Sequence, residues 1–143
     1  MNLVWWALAM AAGFSAAFQG AANGMLSQKT GLGPALVFNS AVVLIATIIL
    51  YLAQGSKGPW FPAQTPWVLY LGGVFGFIII ACLAFVFPKI GAGNAVALMV
   101  LGQGLAAVFI DHFGWFGMPS RPVDWVRLTG IGFLVAGVLL VRR

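Results

Sequence analysis

Four stretches of this sequence, Leu3–Met25, Leu32–Ala53, Trp67–Phe87 and Ala92–Ile110, are apolar and hold no charged residue. A fifth, Trp125–Val141, holds only Arg127. Each is close to the ~20 residues that a helix needs to cross a bilayer. None alternates apolar and polar residues as a membrane barrel strand does. Arg127 lies near the start of its stretch, where a long side chain snorkels to the headgroups. The expectation is therefore an all-α integral membrane protein with five transmembrane helices. These form one transmembrane domain over residues 1–143, with spans of about 3–25, 32–53, 67–87, 92–110 and 125–141. The first stretch is read as a retained helix, because its apolar run exceeds a signal-peptide core and no Lys or Arg precedes it.

Composition closes the alternatives. Hydrophobic residues make up 62% and charged residues 6%, against roughly a quarter charged in soluble domains. Neither a soluble nor a disordered chain has that balance. The net charge of +5 does not imply nucleic acid as a partner, since the cations are scattered singly and form no basic face. One Cys and one His make no metal site and no hydrolytic centre. The protein is read as a non-enzyme without cofactors, whose solvent is the lipid bilayer.

Joints between the spans are short. Ser27–Gly31 and Pro88–Gly91 read as tight turns. Gln54–Pro66, with three prolines, reads as a loop. Asp111–Asp124, rich in aromatics, reads as an interfacial segment. No internal repeat stands out. Five crossings put the termini on opposite sides. Lys57, Arg121 and Arg127 then share the N-terminal side, and Lys29, Lys89, Arg142 and Arg143 the other. Three against four encodes orientation weakly and leaves insertion both ways open. All six Trp and both Tyr map to the N-terminal side, where they anchor helices at the headgroups.

No ionisable side chain lies deep in any span, so a mid-membrane carboxylate proton carrier is not expected. What remains is neutral. Ser15, Gln19 and Asn23 are spaced i, i+4, i+8 and share one helix face. Asn39 follows on the second helix, and Asn94 and Gln103 on the fourth. Ser15 is near mid-span, and Gln19 and Asn39 lie roughly 5–8 Å from it toward the C-terminal side. Such amides either hold helices together or line a polar cavity for a small-molecule solute. Asn94 and Gln103 are nine positions apart and face opposite ways. Asp111-His112 is either a proton or ligand site at the membrane surface or a polar helix stop. Gly130 and Gly137 share a face of the last helix, and Ala16, Gly20 and Gly24 form a small-residue ridge on the first.

Pro88-Lys89-Ile90-Gly91-Ala92-Gly93-Asn94-Ala95, Gly102-Gln103, Asp111-His112-Phe113-Gly114-Trp115-Phe116-Gly117 and the stretch from Gln19-Gly20 to Asn23-Gly24 resemble the YdcZ-like family. These are small bacterial inner (cytoplasmic) membrane proteins of the drug/metabolite transporter superfamily. The last helix, from Gly130 through Gly137, is similar to the dimer-forming helix of small multidrug-resistance transporters. The resemblance implies half of a ten-helix transporter, working as an antiparallel homodimer of dual topology or with an oppositely oriented paralogue. It implies export of a small solute by alternating access, with Gly130 and Gly137 at the dimer contact. The first-helix Glu of the multidrug transporters is absent, and Ser15 and Gln19 occupy the matching region, which suits neutral, zwitterionic or weakly charged solutes better than bare cations. A narrow channel and a non-transporting scaffold subunit are the other classes compatible with the residues.

Overall fold

The computed structural model describes residues 3–55, 58, 60, 62 and 64–141. Lys57, Arg142 and Arg143, counted above in the charge balance, lie outside them. The described chain is helical and holds no strand. In order, α1 spans Leu3–Thr30 and α2 Leu32–Ala53. A 3-10 turn at Trp67–Leu71 leads into α3, Gly72–Ile90. Then come α4, Ala92–Phe113, a 3-10 turn at Trp115–Gly117, and α5, Trp125–Val141. Four of the helices are long and apolar enough to cross a membrane, and α5, at 17 residues, is shorter. Helix is the secondary structure such residues must adopt in lipid, because each peptide N–H finds its partner within the same segment. Phe14, Phe18, Phe75 and Phe133 are each more than half exposed, which lipid tolerates and water does not.

Two expected turns are tighter in the structure. Ser27–Thr30 continues α1, and Pro88–Ile90 continues α3, so each joint shrinks to a single glycine. Gly31 (φ 88°, ψ 160°) and Gly91 (φ 80°, ψ 157°) are the N-caps of α2 and α4. Positive φ at these joints is open to glycine without steric cost. Each joint reads Lys-x-Gly-x-Gly (Lys29–Gly33 and Lys89–Gly93), so the sequence does repeat a local device. The hydroxyls of Ser27 and Thr30 donate to the Gly24 and Leu26 carbonyls, which lets polar residues extend the apolar helix.

Residues up to Lys89 form one compact unit and residues from Ile90 a second. In the first, α1 packs on α2 and on α3. The α1–α3 contact is built on small residues: a Cβ on Gly20 would fall 2.6 Å from Phe87 Cζ, and one on Gly24 3.2 Å from Phe87 Cβ and Pro88 Cδ. The ring of Phe87, 5% exposed, lies in the notch left by the missing side chain. Pro88 sits inside α3 and cannot donate to the carbonyl four residues back, that of Ala84. Ala84 is fully buried, and the Ser27 hydroxyl, with one proton to give, lies 2.8 Å from the Gly24 carbonyl and 3.2 Å from that of Ala84. That proton is shared between a carbonyl of its own helix and the one that proline frees on α3.

In the second unit α4 packs on α5. A Cβ on Gly104 would reach Leu134 Cδ1 at 3.0 Å, and one on Gly93 would reach Val141 Cγ1 at 3.7 Å. Gly114, left-handed at φ 62°, caps α4 by donating its N–H to the Ile110 carbonyl. Asp124 starts α5, its carboxylate accepting the Arg127 N–H at 2.8 Å.

Candidate functional site

Three of the expected amides meet. Gln19 and Asn23 lie one helical turn apart on α1, on one face. Across the α1–α2 contact, Asn39 Oδ1 accepts two hydrogen bonds: Gln19 Nε2 donates at 3.0 Å and Asn23 Nδ2 at 3.0 Å. Asn23 is buried, 7% exposed, while Gln19 and Asn39 are half-buried. In an apolar surrounding each of these bonds also spares a polar group from desolvation.

Gln19 and Asn39 border a cavity of about 390 Å³ within the first unit. Its wall continues along α2 through Ser40, Val43 and Thr47, and α3 contributes Gly73, Gly76, Phe77 and Ile80. No charged residue lines it. The Thr47 hydroxyl donates to the Leu44 carbonyl, which leaves the Gln19 and Asn39 amides and the Ser40 hydroxyl as the polar side-chain groups facing the cavity. Gly73 and Gly76 meet nothing within 4 Å of a built Cβ. They keep that side of the cavity open. Nothing in the sequence marks Phe77 or Ile80 as cavity residues, because an apolar side chain facing a cavity reads like one facing lipid.

The other expected residues do not join this cluster. Ser15 is exposed, and its hydroxyl donates to the Ala11 carbonyl one turn back. Gln103 is exposed on α4. Asn94, in the first turn of α4, donates from Nδ2 to the Ile90 carbonyl at 2.9 Å. Its Oδ1 is buried with no partner. Asn94 borders a second cavity, about 600 Å³ and otherwise apolar, between α4 and α5. Gly130 and Gly137 are not used in the α4–α5 contact, since a Cβ on either meets nothing within 4 Å.

Asp111 and His112 are tied into the segment before α5. Asp111 pairs with Arg127 at 3.2 Å, both partly exposed, and its carbonyl accepts the Arg121 N–H at 2.7 Å. His112 Nδ1 accepts the Val123 N–H at 3.2 Å, and its carbonyl accepts the Ser120 hydroxyl. Phe113 stacks on Trp115. At the other loop Trp60 donates its indole N–H to the Tyr51 hydroxyl at 3.0 Å, holding two aromatics together at the end of α2. Among the described residues no group of three or more His, Cys, Asp or Glu gathers as a metal site does.

Known proteins match this chain along most of its length. A family described as "Putative inner membrane exporter, YdcZ" matches residues 4–140. The inner membrane protein YdcZ of Escherichia coli (strain K12) is 26% identical over 111 residues, which cover 76% of this chain and 74% of that protein. No solved structure matches.

Proposed function

We propose, for a chain that belongs to the YdcZ family of inner membrane exporters, that it carries a small neutral solute by alternating access as an antiparallel pair. The protein is a multi-pass inner membrane protein. In this reading residues 1–143 act as one transmembrane domain with α5 as a fifth crossing. Seventeen residues rise about 26 Å, close to the ~30 Å hydrocarbon core, and Arg127 reaches the headgroups from the first turn.

The observation that carries the reading is the amide cluster of Gln19, Asn23 and Asn39 beside an uncharged cavity. Gln19 and Asn39 are the central solute contacts and Asn23 holds Asn39 in place. Ser15, Asn94 and Gln103 are proposed as outer contacts along the path, and the Asp111-His112 pair as a surface proton or ligand site. An odd number of crossings makes a second, inverted copy place its own cluster in the opposite half of the bilayer. Rocking one copy against the other then exposes the two clusters alternately. The open faces of Gly130 and Gly137 suit close helix approach between copies.

Topology is the test. Cys82 is the lone cysteine, so Cys82→Ser gives a clean background for single cysteines at Thr30 and Ser120. An antiparallel homodimer labels both sites partly from each side of the membrane. Labelling of each site from one side only, with no oppositely oriented partner chain in the membrane, overturns the pair. Saturable flux in proteoliposomes supports a carrier, and unitary currents overturn it.

A further inference from the structure

The solute class follows from how the three amides spend their hydrogen-bonding capacity. A primary amide offers two N–H donors and one carbonyl with two lone pairs. Asn39 Oδ1 accepts from both Gln19 Nε2 and Asn23 Nδ2, so its lone pairs are filled. Within the protein, Asn39 Nδ2 keeps both donors, and Gln19 keeps its Oε1 acceptor and the second N–H of Nε2. Gln19 and Asn39 are also the two amides that border the cavity. The edge offered to a solute is one NH₂ beside one carbonyl.

That edge survives reversal of the amides. Turning all three over makes Asn39 Nδ2 the donor to Gln19 Oε1 and Asn23 Oδ1. The groups left for the cavity are then Asn39 Oδ1 and Gln19 Nε2, again one acceptor beside one donor. In either orientation Gln19 and Asn39 together present both donors and an acceptor to the cavity.

We infer that the cavity takes a neutral, flat solute that carries a donor and an acceptor side by side: a carboxamide, lactam or urea group on an apolar body. This rests on the solute-carrier reading above and names its substrate class. A carboxylate presents acceptors only and leaves the Gln19 carbonyl without a donor. An amidinium presents donors only and meets the NH₂. Neither finds a counter-charge, because no charged side chain lines the cavity, and an uncompensated charge is costly in an apolar site. Phe77 and Val43 supply apolar walls for the body of the solute, and Gly76 leaves room beside them.

Benzamide, benzoate and benzamidine are nearly isosteric and differ in just this pattern. Their affinities are read by saturation-transfer NMR against the purified full chain in nanodiscs, with empty nanodiscs subtracted. Benzamide is expected to bind at least ~10-fold more tightly than either ion, which is about 1.4 kcal/mol. Asn39→Asp, assayed at pH 8, keeps an acceptor for Gln19 and Asn23 but loses the NH₂. It is expected to move the preference to benzamidine by at least ~10-fold, again about 1.4 kcal/mol. Absence of saturable benzamide binding to the wild type, equal binding of the three, or an unchanged preference in Asn39→Asp overturns the inference. Flux separates it from the carrier reading. Saturable proteoliposome flux of benzoate or benzamidine, with benzamide excluded, keeps the carrier and overturns this class. Selective benzamide binding without flux above Asn39→Asp liposomes keeps the class and overturns the carrier.

Discussion

Gly20→Ala should change sign with the residue opposite it. The added Cβ would stand 2.6, 2.8 and 3.0 Å from Cζ, Cε2 and Cε1 of Phe87. Carbon atoms in contact prefer roughly 3.5–4.0 Å, so the ring must retreat by about 1 Å while itself packed and nearly inaccessible. Overpacking of this kind costs about 1–3 kcal/mol. Against it stands the helix preference of Ala over Gly, roughly 0.5–1 kcal/mol. The net expectation is a loss of ~1 kcal/mol in the wild type. In a Phe87→Ala background the clash is gone and only the helix term is left, so the same change should stabilise by ~0.5 kcal/mol or more. The double-mutant cycle is run by denaturant or SDS titration of helicity in micelles, with monodisperse elution as the check on assembly. A Gly20→Ala effect equal in both backgrounds within ~0.5 kcal/mol, the usual limit of additivity, refutes the α1–α3 packing argued from Gly20.

Ser27→Ala removes a hydroxyl whose one proton is shared between the Gly24 and Ala84 carbonyls and should cost about 0.5–1.5 kcal/mol in the wild type, and less with Pro88→Ala, whose new N–H reaches the Ala84 carbonyl within α3; additive thermal unfolding shifts would contradict the assignment. Asn94→Leu deletes a buried Oδ1 without a partner but also the Nδ2 bond to the Ile90 carbonyl, so the two effects offset and stability should change by less than ~1 kcal/mol. A loss above ~2 kcal/mol, more than one such bond supplies, would show that Oδ1 too has a partner in the working protein. Asp124→Ala removes the N-cap of α5 and should cost about 1 kcal/mol, whereas Asp111→Ala, which breaks only a partly exposed ion pair, should cost less than ~0.5 kcal/mol. The reverse order in a thermal melt would make the Asp111–Arg127 pair the stronger tie.

The crossings are legible in the sequence because lipid removes choice: an apolar, charge-free run of that length must satisfy its backbone internally. The helix ends are less legible. Polarity at Ser27–Thr30 reads as a turn, yet hydroxyls bonding back to carbonyls keep those residues helical. Pro88 reads as a breaker too. It is tolerated inside α3 because Ser27 lies 57 positions earlier and still reaches the freed carbonyl. A local reading has no access to such a partner. The true breaks, Gly31 and Gly91, are set apart by their positive φ and by the shared Lys-x-Gly-x-Gly context, and not by glycine as such, which also occurs along the helices.

The site divides along the same line. Helical spacing alone puts Gln19 and Asn23 on one face, and depth alone sets Asn39 near their level. Which of the remaining polar residues joins them depends on which helices touch, and periodicity carries no information about that. Ser15 shares the face yet bonds to its own helix, while Asn39 completes the cluster from another. The chemistry also explains why amides serve here better than hydroxyls or charges. A hydroxyl in a helix can donate its single proton to the preceding turn and has no donor left. A lone charge would demand a partner in lipid at all times. An amide can bind its neighbours and retain both donor and acceptor capacity. The cluster of Gln19, Asn23 and Asn39 thus ties α1 to α2 with part of its hydrogen-bonding capacity and leaves the rest, on Gln19 and Asn39, facing the cavity. Under the proposed carrier reading, helix contact and solute contact draw on the same amides, and the first does not exhaust the second.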